Sequence, residues 1–296
     1  MKQNMWEKPW RIKEGAIIGG IIVIIGLLLQ LSMGPVVWSA FAWPNNGIAF
    51  AAFLMIIVVI FLLKKKVYLF HYLGTYQAAI PALAYAVTLT LVMGLTKQTE
   101  GSTWLNSMLT FWPFVLTYMY MTTVLGLIVL NRLQHRRGLK DIPFYLNHLG
   151  LFIALTTATL GNADMQQLKM VVGIGMSEWR GITQEGIIKE LPMSIELKRF
   201  ILETYEDGSP KRYASEVEIV TSDDERIQTT IDVNKPAKVD GWKIYQYSYD
   251  TQMGKQSQTS TLELVSDPWL PLVYAGIYMM LAGAVSMLLF GQVKKS

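Results

Sequence analysis

The sequence predicts a membrane α-helical protein with about six transmembrane helices and an all-β extracytoplasmic domain. Hydrophobic residues make up 52% of the 296 residues and charged residues only 16%, a balance too apolar for a water-soluble domain of this length. The apolar residues are concentrated in six long runs, and one polar stretch, residues 162–267, is rich in strand-forming residues. Together these observations define a helical membrane region with a separate β-rich insertion.

The six apolar runs are long enough, or just adequate, to cross a bilayer, since a spanning helix needs ~20 residues for ~30 Å of hydrocarbon. We interpret the first run as an uncleaved helix, because GLLLQLSMGPVV offers no convincing A-x-A cleavage site and five more apolar runs follow it. Pro81 lies inside the third run and should kink that helix, because proline lacks a backbone donor. The runs are 16–33, 48–63, 67–95, 109–130, 144–161 and 269–290.

Lysine and arginine are distributed unevenly among the connecting segments. Four segments hold 13 of the 26 basic residues, namely 1–15, 64–66, 131–143 and 291–296. The alternate short loops, 34–47 and 96–108, hold only Lys97. By the positive-inside rule, we expect both termini to be cytoplasmic and residues 162–267 to lie outside the inner membrane of a bacterial cell. A basic rim beside anionic membrane lipids explains the positive charge, and no nucleic-acid partner is predicted.

The predicted outside domain contains β-branched and aromatic runs separated by turn clusters such as EDGSP and NKPAKVDG. Partial two-residue alternation favours about six strands in an antiparallel sandwich or half-barrel. The predicted organisation is a cytoplasmic lead, a five-helix region, the β-rich domain, and a final helix with a cytoplasmic tail. Their bounds are 1–15, 16–161, 162–267 and 268–296.

Several kinds of chemistry are excluded by what the sequence lacks. It has no cysteine, so this chain forms neither a disulfide nor a thiolate metal site. The stretch 162–267 has no histidine either, which rules out a Ser-His-Asp set within it. No Walker loop, dinucleotide-binding glycine pattern or H-E-x-x-H motif is present. These absences favour binding or assembly over catalysis.

His148 is the titratable side chain that stands out, because it lies inside the apolar run 144–161 near the basic-flanked end. An ionisable group within a membrane span usually has a function or a partner. A neutral imidazole can bond a helix neighbour through one nitrogen and coordinate haem iron through the other. The alternative is a packing histidine bonded to a carbonyl. Gly150 and the nearby Thr156, Thr157 and Thr159 are expected to support close helix packing and interhelical hydrogen bonds.

The two other histidines lie in predicted cytoplasmic segments. His71 follows the lysine cluster at 64–66 and is a weaker haem-ligand candidate, with an ordinary interfacial histidine as the alternative. The runs containing His71 and His148 both point outward, so the two imidazoles are expected at similar depth and could form a pair. His135 lies among arginines in NRLQHRRGLKD, and we interpret it as part of a basic surface facing lipid.

Four sequence elements in order resemble the ResB (CcsB) family of cytochrome c biogenesis proteins over about residues 146–292. They are NHLGLFIALTTATLG, LPMSIELKRFILETYEDGSPKRYASEVEIV, VNKPAKVDGWKIYQYSYD and DPWLPLVYAGIYMMLAGAV. The resemblance implies a subunit that moves haem outward and supports covalent haem attachment to apocytochromes c. It implies that His148 is an axial ligand of transiently held haem. It also implies a CcsA-type partner, whose tryptophan-rich W-G-x-W-W-x-W-D signature this chain lacks.

Two other functions remain open from the sequence. One is a membrane electron-transfer subunit holding a permanent b-type haem between His71 and His148. The other is a haem-free, membrane-anchored scaffold whose outside domain binds another envelope protein. The haem content of the isolated protein distinguishes the three hypotheses. The assembly subunit requires substoichiometric haem, the electron-transfer subunit requires stoichiometric haem, and the scaffold requires none.

Overall fold

The computed structural model describes residues 6–99, 104–135, 138–184 and 186–290. Residue 290 is described by its backbone alone. The first five residues of the predicted lead, the tail from 291, and the loop arginines Arg136 and Arg137 lie outside this description. The chain divides into two compact units. We call residues 1–163 with 269–296 the membrane unit, and residues 164–268 the sheet unit.

The membrane unit contains seven α-helices in the described ranges, six of which are long and apolar enough to cross a membrane. The predicted number of spans is therefore confirmed, and the protein is a multi-pass membrane protein. The helices are α1 Ile12–Met33, α2 Asn45–Leu63, α3 Tyr68–Leu73, α4 Tyr76–Leu95, α5 Trp112–Gln134, α6 Ile142–Gly161 and α7 Leu270–Phe290.

The third predicted run, 67–95, is not one helix, which corrects the sequence prediction. It divides into α3 and α4 at Gly74 and Thr75, whereas Pro81 lies inside α4. At the break, the Asn131 side chain of α5 donates from Nδ2 to the Gly74 carbonyl at 3.0 Å. A Cβ atom at residue 74 would clash with that amide nitrogen, so a larger residue there would displace the Asn131 side chain. A tertiary contact, invisible in the local pattern, therefore accompanies the break.

Buried polar side chains in the spans join the helix ends. Gln30 near the end of α1 accepts a hydrogen bond from the Trp112 backbone N–H, at 3.1 Å, at the start of α5. Asn46 at the start of α2 donates to the Leu160 carbonyl near the end of α6 at 3.2 Å. Helix termini have backbone groups without intrahelical partners. These two side chains supply hydrogen bonds to such groups, which lipid cannot provide.

Helices α6 and α7 pack closely through Gly150 and Gly276. A Cβ atom at Gly276 would lie 2.5 Å from the Gly150 carbonyl oxygen, so the two backbones are in contact. Gly150 therefore supports close helix packing, as predicted. The predicted interhelical hydrogen bonds of the threonines are wrong, because Thr156, Thr157 and Thr159 each donate to a carbonyl four residues earlier in α6 itself.

The sheet unit is one eight-stranded sheet in the order β5-β4-β3-β2-β1-β8-β7-β6, with all neighbouring named strands antiparallel. Strand β5 also contacts β6 and β7, so the sheet curls toward a barrel. This matches the predicted half-barrel rather than the sandwich. The strands are β1 Gln166–Gly173, β2 Ser177–Ile182, β3 Ile188–Thr204, β4 Pro210–Thr221, β5 Arg226–Asp232, β6 Ala237–Val239, β7 Trp242–Tyr249 and β8 Thr259–Ser266.

The sequence underestimated the strand number for two local reasons. The sequence pattern predicts one strand over residues 168–179. The chain bends back at Gly175, whose φ of +74° suits glycine, and so forms both β1 and β2. Strand β6 has only three residues, too few for a detectable alternation. The alternation in β1, β3 and β4 directs one side of the curled sheet into a single apolar core.

A buried polar network crosses that apolar core. The Ser215 hydroxyl of β4 donates to Gln246 Oε1 of β7 at 2.7 Å, and Gln246 Nε2 donates to the Ser260 hydroxyl of β8 at 2.8 Å. Ser215 Oγ also lies 2.8 Å from Ser260 Oγ. Buried polar groups stabilise a fold when they are hydrogen-bonded, so this network ties β4 to β7 and β8 across the interior.

Candidate functional site

The candidate functional groups lie in the membrane unit, which holds all three histidines of the chain. His71 is on α3, His135 follows the last residue of α5, and His148 is one and a half turns into α6. Within the described residues, no group of three or more His, Cys, Asp or Glu side chains could hold a metal ion.

The His148 imidazole is half-buried and stacks on the ring of Phe144, with 4.0 Å between the ring centroids and 20° between the planes. Its Nδ1 atom lies 3.0 Å from the Phe144 carbonyl oxygen. In the tautomer that donates Nδ1–H to this carbonyl, Nε2 carries the lone pair. Metal-binding histidines commonly make such a bond, because it fixes the ring and raises the basicity of the ligating nitrogen.

A buried ion pair supports the start of α6. The Arg132 guanidinium donates to Asp141 Oδ1 from Nη2 at 2.6 Å and from Nε at 2.9 Å, and the Asp141 side chain is 1% exposed. The same guanidinium lies 5.4 Å from the centroid of the Phe144 ring. Contacts thus run from Asp141 through Arg132 and Phe144 to His148, so α5 helps to orient the imidazole on α6.

A second polar site is an open cavity of about 610 Å³ at the ends of α2 and α5 and the beginning of α4. We call it the basic cavity. Two lysines and two histidines line it, together with two side-chain amides and a short backbone segment. The lining residues are Lys64, Lys65, His71, Gly74, Thr75, Asn131, Gln134 and His135.

The Lys64 ammonium is held in place at the wall of the basic cavity. Its Nζ atom donates to Asn131 Oδ1 and, at 2.6 Å, to Gln134 Oε1, both on α5. His135 Nδ1 lies 3.1 Å from the Asn131 carbonyl oxygen. Desolvation, with a smaller effect of the charge on Lys65, lowers the pKa of Lys64. Lys64 and Lys65 give the wall a positive charge, and the neutral side-chain amides that hold Lys64 do not compensate it.

The structure groups the predicted histidines differently from the sequence. His71 lines the basic cavity together with His135, whereas His148 is not among the described residues that line it. The pairing of His71 with His148 therefore stays a prediction. Sequence reasoning assigned His135 to a lipid-facing surface and gave Asn131 and Gln134 no role. The available signal was their spacing, because Asn131 and His135 are four residues apart and lie on one side of a helix end.

These observations define a class of protein, a multi-pass membrane protein with a curled β-sheet insertion and basic, histidine-bearing helix ends. A family model described as the ResB-like family matches residues 135–257. That segment, which includes His148 and most of the sheet unit, is similar to the ResB-like family, and the resemblance seen in the sequence is confirmed.

Two individual proteins are also similar to this chain. The cytochrome c biogenesis protein CcsB of Prochlorococcus marinus subsp. pastoris is 33% identical over 122 residues. The match covers 39% of this chain and 27% of that protein, so it spans about a quarter of the relative's length. The solved structure of the cytochrome c haem lyase CcmF aligns with 95% of this chain and 46% of its own, at 11% identity and a TM-score of 0.39. A structural likeness at that score carries no argument.

Proposed function

We propose that this protein is the ResB-like subunit of a membrane complex that moves haem outward and supports its covalent attachment to apocytochromes c. One observation carries the proposal: the ResB-like segment contains His148, whose Nδ1 is bonded to a carbonyl of its own helix and whose Nε2 is then available as a ligand. The similarity to a cytochrome c biogenesis protein over 122 residues supports this class of substrate.

Haem is the cargo in this proposal, and its iron accepts an imidazole nitrogen as an axial ligand. His148 supplies that nitrogen, Phe144 holds the ring by stacking, and Arg132 holds Phe144. His71 is the weaker candidate for a second ligand within the chain. A CcsA-type partner with the tryptophan-rich signature supplies the remaining ligands and the outer site, because the segment 162–267 has no histidine.

The proposed orientation places the helix ends that carry Lys64, Lys65 and Arg132 at the cytoplasmic face, with the lead and the tail on the same side. It rests on the excess of Lys and Arg in the segments that join at these ends. The sheet unit would then be outside, where apocytochromes c receive haem. Its role in this proposal is to position the apocytochrome rather than to make the bond, since it has neither histidine nor cysteine.

The test is His148→Ala in the complete complex, with holocytochrome c and co-purifying haem both measured. We expect both to fall at least tenfold. Thr159→Ala is the matched control, because Thr159 is an exposed residue of the same helix whose hydroxyl bonds only to Leu155 of that helix. His148→Gly supplemented with imidazole should regain part of the haem, which a packing role would not predict.

Other outcomes identify the alternative functions. Normal haem and holocytochrome c in His148→Ala would refute the ligand role. Stoichiometric haem in the isolated wild-type chain, with spectra of a permanent six-coordinate b-type haem, would favour the electron-transfer subunit. The haem-free scaffold predicts no haem with or without the partner. Substoichiometric haem that depends on the partner is the result our proposal requires.

A further inference from the structure

The basic cavity is positively charged without a compensating acid. All its lining residues are basic, imidazole-bearing or neutral, and it includes both Lys64 and Lys65. Among the described residues, neither lysine takes part in an ion pair. Asp141, the residue that precedes α6, is bonded to Arg132 and is not among the lining residues. Two adjacent lysines repel each other, so a bound anion would relieve a repulsion that the protein leaves in place.

The beginning of α4 adds to this charge. Thr75, which precedes the first residue of α4, lines the cavity together with Gly74. The Thr75 hydroxyl donates to the Tyr72 carbonyl at 2.7 Å and makes no capping bond to the first turn of its helix. α4 has 20 residues, so the positive end of its dipole adds to the lysines. Helix dipole, ammonium groups and imidazoles therefore favour the same sign of ligand.

The position of the cavity limits where an anion can come from. It lies where two membrane-spanning helices end and a third begins, which is the depth of the phospholipid headgroups. Leu62 and Val67 on either side of the lysines and Tyr76 at the start of α4 are exposed apolar or amphipathic residues. An acyl chain can lie along such residues while the headgroup reaches the lysines.

We propose that the basic cavity binds the phosphate group of an anionic phospholipid, with Lys65 and Lys64 as its principal contacts and His71 and His135 beside them. Basic pockets between the cytoplasmic ends of membrane helices are the usual sites for such headgroups. This site takes a different ligand from His148 and shares no residue with the contacts that support His148; His71, the weaker haem-ligand candidate, is the residue that lies at its edge. A bound lipid would join α2, α4 and α5 at the point where the third predicted run is broken.

A purely structural role accounts for only part of the arrangement. Lys64 bonds two amides of α5, and it also lies 4.0 Å from the centroid of the Phe61 ring, so it has a packing function. Lys65 is exposed and points into the same cavity without sharing those bonds. Lys66 is equally exposed but is not among the described lining residues. Comparing a variant of Lys65 with a variant of Lys66 therefore distinguishes binding in the cavity from a general attraction to an acidic membrane.

The experiment uses the full chain in nanodiscs of phosphatidylcholine with one tenth phosphatidylglycerol, and native mass spectrometry counts the retained phosphatidylglycerol. We expect the wild type to retain it and Lys65→Gln to bind it about fivefold more weakly, because a direct contact between an ammonium group and the phosphate is lost. Lys66→Gln should change binding less than twofold. Equal losses in both variants would overturn the site in favour of nonspecific surface charge.

Two further measurements identify the source of the anion. Inorganic phosphate at millimolar concentration should displace little phosphatidylglycerol, and full displacement would overturn a lipid site in favour of a free-phosphate site. Haem retention is measured on the same variants in the complete complex with the partner. If Lys65→Gln lost haem while keeping its lipid, the cavity would belong to the haem path and our proposal would fail. Lipid loss with normal haem would support it independently of the role of His148.

Discussion

The two units of this protein are held together in opposite ways. In the membrane unit the closest helix pair, α6 and α7, meets at Gly150 and Gly276, where the backbones touch. In the sheet unit the interior consists of large aliphatic side chains such as Ile195, Leu197 and Leu262, which are fully buried. In lipid, apolar burial drives helix association weakly, and close backbone packing replaces it. A unit folded against water is stabilised chiefly by the apolar area that it removes from water.

The units also differ in where they place charge. The ion pairs of the sheet unit, such as Arg199 with Glu216, are on the surface and exposed to screening by salt. The pair Arg132–Asp141 in the membrane unit has a buried carboxylate and contacts the ring that supports His148. The comparison predicts that small changes at helix contacts and helix ends of the membrane unit affect function, whereas the sheet unit tolerates loss of surface charge.

The largest effect is expected from Gly276→Leu. The new Cβ would lie 2.5 Å from the Gly150 carbonyl oxygen, and neither backbone can yield without separating α6 from α7. We expect a loss of stability of about 3 kcal/mol or more, as for severe overpacking, and a fall in haem retention because His148 is on α6. Thermal unfolding in detergent measures the first effect. Ala275→Leu, at an exposed position of the same helix, should be close to wild type.

The next effect is a core truncation in the sheet unit, Ile195→Ala. Ile195 is 0% exposed, and removing such a side chain costs about 2–5 kcal/mol through lost burial and the cavity that remains. Proteolysis of the sheet unit at increasing temperature should show the change, while haem retention at His148 stays normal. Ile188→Ala is the control, because Ile188 in the same strand is 62% exposed. Similar proteolysis of the two variants would contradict the assigned core.

Asp141→Asn should have an intermediate effect on stability and a selective one on haem. Breaking a buried ion pair typically costs ~3–5 kcal/mol, and the 35% exposure of the Arg132 side chain reduces this to about 1–3 kcal/mol. Because Arg132 supports Phe144, we expect weaker haem retention as well. Asp223→Asn, in an exposed turn of the sheet unit, serves as the control. Wild-type haem retention in Asp141→Asn would refute the chain of contacts leading to His148.

The smallest effect is expected from Arg199→Gln. This removes the pair with Glu216 on the sheet surface, and such exposed, salt-screened pairs contribute little to stability. The Arg199 guanidinium lowers the pKa of Glu216, and the pKa should return toward its ordinary value in the variant. Titration by NMR of the carboxyl group measures the shift. A pKa unchanged by the mutation would show that the pair does not form in solution.

The fold was largely predictable because its main signals are local. Apolar runs and basic loops identified six spans, and turn clusters separated most of the strands. The break between α3 and α4 was not predicted, and it coincides with a contact to Gly74 from Asn131, which lies on a helix 57 residues further along the chain. The splitting of β1 from β2 was signalled only by Gly175 in an otherwise continuous strand pattern.

The candidate sites were predictable to different degrees. His148 stood out because a titratable group in an apolar run is conspicuous, and the contact to Phe144 four residues earlier follows from helix geometry. The basic cavity was not foreseen, although its lysines were read as a basic rim. Its lining comes from segments around residues 64, 74 and 134, and only packing brings them together.

The sequence by itself determined the number of spans, the antiparallel β character of the insertion, the resemblance to the ResB family, and the imidazole inside a membrane helix. These follow from composition, periodicity and short-range order, which act over a few residues. The tertiary structure decided which helix ends meet, which histidines share a cavity, and which charges are paired. Those features depend on contacts between residues far apart in the chain, and local sequence patterns do not indicate such contacts.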